Sequence, residues 1–390
     1  MELWRDCIKY LSKRGISFIL HFFWLFPIKK NKIVLMNDHS YAYSDNLKYL
    51  SCYLLEKEPE KYDLYFLLKN TEGIDRRIKA VKFGSFAHFY HALTGSVVVT
   101  NNSGIVYLPI RKKQLVINTW HGGGPYKVTG TEALDNYWHN LDMKYNARKV
   151  NYILSSCKVF TEAEASGMYY KPEQCVNCGM PRMDYFFDKT ALEKTKRKVF
   201  NTYKLSTLSK LVLYAPTFRG IFENYGGVIT DEILEIDDKR LISVLQRKFG
   251  GDWIFAVRLH PRLKEVKFNN SNVINMSFYP DAEELLMAAD VLVTDYSSVM
   301  WDFSFSRKPV FLFAKDIDDY EVKRGFYVPP EKWPYPVAVT NDEMEQNIID
   351  YDQDAYWKRL ERHHEESGSF EKGIACETVK QLIDQHLDAV

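Results

Sequence analysis

Residues 291–313 constrain the fold more than any other stretch of this sequence. The stretch opens with an apolar run rich in β-branched residues, which is typical of a buried strand. Polar residues follow at 295–298, then an amphipathic segment, and residues 310–313 form a second apolar run. Strand, polar turn, helix and strand in this order make up the repeating unit of a parallel sheet with helices on its faces. The sequence therefore predicts an α/β fold.

The polar turn of this unit, Asp295-Tyr296-Ser297-Ser298, fits two different roles. In parallel sheets, ligands bind beyond the carboxyl ends of the strands, and helix N-termini located there favour anions. Two neighbouring serines would offer hydroxyl and backbone N–H groups to a phosphate. Serine is equally a preferred N-cap, whose side chain accepts a hydrogen bond from the first turn of a helix. The turn alone does not separate a phosphate site from a helix cap.

Short apolar runs alternate with helical patterns over most of the 390 residues. A chain of this length usually holds two domains, and the polar, lysine-rich stretch 188–210 is predicted to link them. We expect an N-terminal segment at 1–30, α/β domains at 31–190 and 191–375, and a C-terminal helix at 376–390. The predicted strands cover residues 33–36, 65–68, 96–100, 115–118, 152–155 and 175–178 in the first domain, and 211–214, 253–258, 273–275, 291–293 and 310–313 in the second.

The first 30 residues differ in composition from the rest of the chain. Trp4, Ile8 and Leu11 recur at helical spacing among basic residues, and residues 16–26 are almost continuously apolar. This run is too short to span a hydrocarbon core, which needs about 20 residues. A cationic, aromatic-rich helix of this length fits one that lies in the interface of an anionic membrane. We expect an amphipathic helix on a membrane surface; the alternative is a helix that packs on the protein.

Composition and cysteine usage restrict the class of protein. A net charge of +1 provides no overall positive field, so no nucleic-acid partner is expected. The six cysteines are scattered and no secretory signal is visible, which predicts reduced thiols in a cytoplasmic chain. Cys175 and Cys178 form a CxxC pair without the second pair of a structural zinc site, and the acidic residues at 316–319 are interpreted as a solvated loop. We expect no metal and no cofactor.

Candidate functional residues follow several predicted strands. His121 comes after the strand at 115–118 and precedes three glycines, which let a ligand approach the backbone. A histidine beside a tryptophan can be purely structural, but its place at a strand end favours function. In the second domain, cationic and hydroxyl side chains at three strand ends suit a diphosphate. The candidates are Gly122, Gly123 and Gly124 beside His121, and Thr217, Arg219, Arg258, His260, Asp295, Tyr296, Ser297 and Ser298 in the second domain.

Four motifs occur in the order and approximate spacing of one known family. They are WHG at 120–122, YAPTFR at 214–219, RLHP at 258–261 and VTDYSS at 293–298. With them the chain resembles the CDP-glycerol:poly(glycerophosphate) glycerophosphotransferases, which make teichoic acids and related capsule polymers. The resemblance implies a GT-B-like architecture, with two Rossmann-like domains facing across a cleft. It also implies transfer of a polyol phosphate, foremost glycerol phosphate, from a CDP-activated donor such as CDP-glycerol to a lipid-linked or glycan acceptor. Such enzymes act at the cytoplasmic face of the cell membrane and release CMP.

The resemblance also assigns roles to residues. His121 of WHG and His260 of HP are the positions expected to matter for catalysis, and Ser297 and Ser298 match the family's phosphate-contacting pair. It makes the first domain the acceptor domain and the second the CDP-donor domain. The length of the chain resembles that of the shorter members, which add a first or a single unit. The family's usual WHG-Thr-Pro-Leu-Lys is here WHGGGPYK, so the acceptor or the donor polyol could differ from glycerol.

The expected chemistry follows from the residue types. An acceptor hydroxyl attacks the distal phosphorus of the donor diphosphate and CMP leaves, so catalysis consists mainly of positioning and charge stabilisation. We expect His121 to be the general base toward the hydroxyl. His260, Arg258 and the two serines would stabilise the diphosphate and the leaving group.

Two other interpretations remain open. The HP and paired-serine motifs also resemble those of bacterial sialyltransferases, so the first alternative is a GT-B glycosyltransferase with a CMP-sugar or another nucleotide-sugar donor. The WHG and YAPTFR motifs favour the phosphotransferase. The second alternative is a non-catalytic, membrane-associated binding protein. The presence of both histidines and the serine pair argues against it.

Overall fold

The computed structural model describes residues 2–37, 42–71, 73–128, 136–217, 228–229, 235–259, 265–266, 268 and 272–389. The chain divides into two compact units. The first comprises Met1–Gly123, Val128–Tyr185 and Gly368–Val390, and the second comprises Gly124–Lys127 and Phe186–Ser367. The N-terminal segment and the C-terminal helix therefore belong to the first unit. The short segment Gly124–Lys127 belongs to the second unit, although the residues on both sides of it belong to the first.

Helices and strands alternate along both units. The α-helices are α1 (Glu2–Leu20), α2 (Asp45–Lys57), α3 (Phe86–Thr94), α4 (Tyr137–Ala147), α5 (Lys189–Thr202), α6 (Asp238–Phe249), α7 (Ala282–Ala288), α8 (Val299–Ser304), α9 (Ile317–Lys323), α10 (Asn341–Ile349), α11 (Gln353–Ser367) and α12 (Ala375–Ala389). The strands are β1 (Lys29–Met36), β2 (Asp63–Leu68), β3 (Lys79–Lys82), β4 (Gly95–Thr100), β5 (Leu115–Asn118), β6 (Tyr152–Ser155), β7 (Cys175–Asn177), β8 (Lys210–Tyr214), β9 (Val228–Ile229), β10 (Trp253–Val257), β11 (Glu265–Val266), β12 (Val273–Asn275), β13 (Val291–Thr294), β14 (Val310–Phe313) and β15 (Val337–Ala338).

Each unit contains a parallel sheet with the same strand arrangement. The first sheet has the order β3-β2-β1-β4-β5-β6-β7, and the second has the order β12-β10-β8-β13-β14-β15. β9 and β11 form a separate pair. The central strands are continuous apolar runs, because a parallel sheet is buried on both faces; Val97, Val98 and Val99 of β4 are fully buried. The predicted α/β fold with parallel sheets is confirmed.

The direction of strand succession reverses once in each sheet. In the first sheet this happens between β1 and β4, and in the second between β8 and β13. Ligands of such folds bind outside the carboxyl ends of the strands at this reversal. Asn101 follows β4 and His121 follows the adjacent β5, while Thr217 follows β8 and Asp295 follows β13. The topology therefore predicts that ligands bind at these two sheet edges.

On helix α1, Lys13 and Arg14 contact the rest of the first unit, and a stripe of apolar side chains is exposed to solvent. Asp142 of α4 accepts hydrogen bonds from Lys13 and Arg14, and the Arg14 guanidinium lies 3.7 Å from the centre of the Tyr145 ring. A surface helix of a globular protein usually buries its apolar stripe, so the exposed stripe of α1 is unusual. The stripe continues into the 3-10 helix His21–Leu25, and its exposed members are Trp4, Ile8, Leu11, Phe18, Ile19, Phe22 and Leu25.

Within the described ranges, every helix is too short or too polar to cross a membrane.

Candidate active site

His121 lies just beyond β5 in the first unit, with its ring held by the neighbouring strand end. Its Nδ1 atom is 2.9 Å from the backbone oxygen of Asn101. A carbonyl oxygen can only accept a hydrogen bond, so Nδ1 must carry the proton. In the neutral ring Nε2 is then the nitrogen with the basic lone pair. A ring in this tautomer can act as a general base through Nε2.

The backbone that leads into His121 has an unusual conformation. Trp120 has a φ of 54°, in the left-handed region that a bulky residue rarely adopts. Asn118 accepts a hydrogen bond from the Trp120 backbone N–H, Glu164 accepts one from its indole N–H, and Asn46 donates one to its carbonyl oxygen. Such conformations persist where the surroundings over-determine them, which is common at functional sites. The direction of the His121 side chain is therefore fixed from several sides.

A buried polar network supports the carbonyl that orients His121. The Asn101 side chain donates hydrogen bonds to Asn37 Oδ1 at 2.9 Å and to Asp45 Oδ2 at 2.6 Å. Asp45 in turn forms an ion pair with Arg182, whose side chain is 1% exposed, at 2.8 Å. Sequence reasoning assigned no role to any of these residues. Asp45 and Arg182 are 137 positions apart, so no local pattern links them.

In the second unit, Asp295 organises the edge formed by β8 and β13. Its fully buried carboxylate accepts hydrogen bonds from the Thr217 backbone N–H at 2.8 Å and from the Thr217 hydroxyl at 2.6 Å. Tyr296 is also buried; its ring stacks on Tyr320 at 3.8 Å, and its hydroxyl donates to Asp316 at 3.2 Å. Asp316, interpreted from sequence as part of a solvated loop, is thus tied to this edge. Asp295 thus joins the loop after β13 to the loop after β8, and Tyr296 joins it to the residues that follow β14.

Ser297 and Ser298 are half-buried and lie directly before α8. Ser298 occupies the N-cap position, but its side chain makes no capping hydrogen bond to the helix. Ser298 thus takes the cap position that the sequence allowed, without the side-chain hydrogen bond of a typical cap. The phosphate-site interpretation remains a prediction.

Arg258 follows β10, and its guanidinium points to main-chain carbonyls. It donates a hydrogen bond to the Tyr279 oxygen at 2.8 Å and one to the Met276 oxygen at 3.4 Å. Burial lowers the pKa of Arg258, and the carboxylates of Glu283 and Asp281 act in the opposite direction. In this structure Arg258 thus ties the segment after β12 to the end of β10. The other two predicted residues of this region, Arg219 and His260, lie outside the described residues.

The glycines of WHGGGPYK have different surroundings. Gly122 is half-buried and Gly123 is buried, and both belong to the first unit. Gly124 belongs to the second unit and has a φ of +77°. A Cβ atom there would lie 2.9 Å from the Trp301 side chain, so only glycine fits. Gly124 was predicted as part of an acceptor-side loop; its surroundings here are the packed interior of the second unit.

Tyr126 anchors this segment in the second unit through a buried hydrogen-bond chain. Its hydroxyl lies 3.0 Å from His363 Nε2 and 3.1 Å from the Tyr335 hydroxyl, which donates to the Met300 oxygen. Burial lowers the pKa of His363 to about 3, so its ring is neutral. The Tyr335 hydroxyl proton is donated to Met300, so the proton between the two tyrosines comes from Tyr126. The Tyr126 oxygen then accepts a hydrogen bond from His363 Nε2–H. The chain therefore fixes both the tautomer of His363 and the position of Tyr126.

In the part of the chain that the structure describes, no group of three or more His, Cys, Asp or Glu side chains is placed to hold a metal ion. The six cysteines are free thiols.

Comparison with known proteins identifies the family. The model of the CDP-Glycerol:Poly(glycerophosphate) glycerophosphotransferase family matches residues 18–385. This chain belongs to that family.

Two curated relatives from Bacillus spizizenii show how this family member compares in length. The teichoic acid poly(ribitol-phosphate) polymerase is 30% identical over 359 residues, which cover 88% of this chain and 55% of the polymerase. The teichoic acid ribitol-phosphate primase is 25% identical, and the match covers 93% of both chains. The chain thus spans about half the length of several polymerases it matches, but 89% of one teichoic acid poly(glycerol phosphate) polymerase and 93% of the primase.

The fold of this family member is similar to that of the wall teichoic acid polymerase TagF. The TM-score is 0.83 at 24% identity, over 100% of this chain and 98% of the solved TagF chain. A further TagF structure was determined after a soak with CDPG. The likeness shows a GT-B-like α/β fold with two parallel sheets.

Proposed function

We propose that this protein transfers a polyol phosphate from a CDP-activated donor to a hydroxyl group of a lipid-linked or glycan acceptor and releases CMP. The product would be a teichoic acid or a capsule-type polymer. Family membership supports this class of reaction. The observation that carries the proposal is the hydrogen bond from His121 Nδ1 to the Asn101 carbonyl, because it makes Nε2 the basic nitrogen.

In the proposed reaction His121 Nε2 takes the proton of the acceptor hydroxyl as the hydroxyl oxygen bonds to the distal phosphorus. The bond between this phosphorus and the bridging oxygen breaks, and the oxygen leaves as part of CMP. Residues 31–190 would bind the acceptor and residues 191–375 the donor. Thr217, Ser297 and Ser298 would contact the diphosphate together with Arg219 and His260. Arg258, predicted as a further contact, would instead hold the end of β10 through its hydrogen bonds to main-chain carbonyls. Asp295 supports this role by joining the loop that carries Thr217 to the turn that carries the serines, and Tyr296 joins the same turn to Asp316.

The relatives suggest two polyols. Their names refer to ribitol phosphate and to glycerol phosphate. CDP-glycerol and CDP-ribitol are therefore the donors that we propose to compare.

The test is turnover of the purified protein with CDP-glycerol, CDP-ribitol and CMP-sialic acid in separate reactions. A short lipid-linked disaccharide serves as acceptor, and CMP release is followed together with the mass of the product. We expect CMP release and a product heavier by a polyol phosphate with one of the CDP-polyols. A gain of a sugar alone would make the protein a glycosyltransferase. Failure to bind any cytidine nucleotide would favour the non-catalytic alternative.

We propose further that α1 and the 3-10 helix after it lie on the cytoplasmic face of the cell membrane. The apolar stripe supports this, since Trp4 is 76% and Phe18 80% exposed. Exposed lysines at 29, 30, 112 and 113 in the same unit would attract anionic headgroups. An amphipathic helix binds a membrane interface by burying its apolar face there.

Changing Phe18 to Asp is expected to weaken binding to vesicles that contain an anionic phospholipid by at least ~10-fold, because an apolar side chain is lost from the interface. Co-sedimentation with vesicles measures the effect. Leu208→Asp is the matched control, since Leu208 is 91% exposed but belongs to the second unit. Equal vesicle binding by Phe18→Asp and the wild type would contradict the proposed orientation.

A further inference from the structure

Lys127 is the sixth residue after His121 in WHGGGPYK, but it belongs to the second unit. Its Nζ atom lies 3.5 Å from the Thr217 hydroxyl oxygen and 5.8 Å from the centre of the Tyr296 ring. Both partners follow the strands between which the second sheet reverses, where parallel sheets bind ligands. Lys127 therefore brings a positive charge to this edge from a distant part of the sequence.

The backbone of Lys127 is held in place without help from its side chain. Residues Lys127 and Phe326 form an antiparallel bridge, and the Tyr327 N–H donates to the Tyr126 oxygen at 2.8 Å. The buried Tyr126 hydroxyl adds the hydrogen-bond chain described above. The half-buried Lys127 side chain is thus not needed to anchor the segment.

The direction of the hydrogen bonds makes Thr217 an acceptor toward Lys127. The single hydroxyl proton of Thr217 is donated to Asp295 at 2.6 Å, so its oxygen presents lone pairs to the ammonium. The Asp295 carboxylate accepts two hydrogen bonds from Thr217. An ammonium group has three donors and binds phosphate as a compact charge. Arg258, by contrast, directs its guanidinium to main-chain carbonyls.

We infer that Lys127 is a donor-binding residue whose ammonium contacts the diphosphate of the CDP-activated donor beside Thr217. There it offsets the negative charge that develops on the departing CMP, as cations do in phosphoryl transfer. The identity of the nucleotide in this inference rests on the proposed function. One motif would then serve two tasks, with His121 acting on the acceptor hydroxyl and Lys127 on the donor diphosphate.

The test compares binding of CDP and of cytidine by calorimetry in wild type, Lys127→Met and Lys127→Arg. Met removes the charge at similar length, and Arg retains it. We expect Lys127→Met to weaken CDP binding by about 10- to 100-fold, the range for a hydrogen bond to a charged group. Cytidine binding and thermal stability should not change, and Lys127→Arg should recover much of the CDP affinity. Lys323→Met is the control, because Lys323 is an exposed lysine of the same unit.

Equal CDP affinity in Lys127→Met and wild type would overturn the inference, as would an equal loss of CDP and cytidine affinity. Turnover with CDP-glycerol and CDP-ribitol separates this inference from the proposed function. If the wild type releases CMP and Lys127→Met does so with the same kcat and KM, Lys127 has no donor role and the transfer reaction stands. If CDP binding depends on Lys127 but no donor is turned over, the diphosphate site stands and the proposed transfer falls.

Discussion

Replacing His121 with alanine is expected to lower kcat by about 10²- to 10⁴-fold, the contribution of a positioned general base. The affinity for the CDP-activated donor should stay close to that of wild type, because the proposed donor residues belong to the second unit. The wild-type rate should fall at acidic pH, where the imidazole takes up a second proton and Nε2 can no longer accept one. The variant should lose this acidic limb. Steady-state kinetics of CMP release as a function of pH measures both effects.

His139→Ala is the matched control for this experiment. His139 lies on α4 of the same unit and its side chain is exposed, so its removal should leave kcat and the pH profile unchanged. A His121→Ala variant with kcat within threefold of wild type would exclude the base assignment. A variant that lost donor affinity and kcat together would instead indicate a damaged fold.

Replacing Arg182 with methionine is expected to lower the free energy of unfolding by about 3–5 kcal/mol. Removing one partner of a buried ion pair leaves the other charge buried without compensation, and this uncompensated charge destabilises the folded state. The charge left without its partner is the carboxylate of Asp45, which also accepts the hydrogen bond from Asn101. We therefore expect kcat to fall as well, since the Asn101 carbonyl orients His121. Urea denaturation, followed by circular dichroism and fluorescence, measures the loss of stability.

A second ion pair of the first unit provides the control. Arg77 Nη2 lies 2.7 Å from Asp75 Oδ2, a distance similar to that of the buried pair, but the Arg77 side chain is 55% exposed. Arg77→Met should change stability little, because exposed pairs are compensated by water. Adding Asp45→Asn to Arg182→Met removes the uncompensated carboxylate charge and should recover part of the lost stability. If Arg182→Met and Arg77→Met were equally stable, the buried pair would not have the role assigned to it.

Strands were predictable from short-range patterns because burial on both faces selects apolar, β-branched runs. The predicted strand at 115–118 is β5, residue for residue. β3 was not predicted, because it is an edge strand with the sequence Lys-Ala-Val-Lys and three of its four residues are exposed. Edge strands of this kind carry little apolar signal. The order of the strands in each sheet depends on long-range pairing and was not predictable from the patterns.

The position of His121 at a strand end and the polar turn at 295–298 could be identified from local sequence. Both depend only on where an apolar run stops and which residues come next. The hydrogen bond that selects the tautomer of His121 could not be predicted, because it joins residues from two strands through a main-chain carbonyl. The pairing of Asp45 with Arg182 joins residues 137 positions apart.

The same distinction explains why Lys127 was overlooked. In the sequence it follows His121 and belongs with the first half of the chain, whereas in the structure its neighbours are Thr217 and Tyr296 of the second unit. Apolar periodicity reports burial along a segment, and so it identifies the elements and their ends. Contacts between distant segments arise only when the sheets assemble, and these contacts decide which polar side chains meet at the sheet edges.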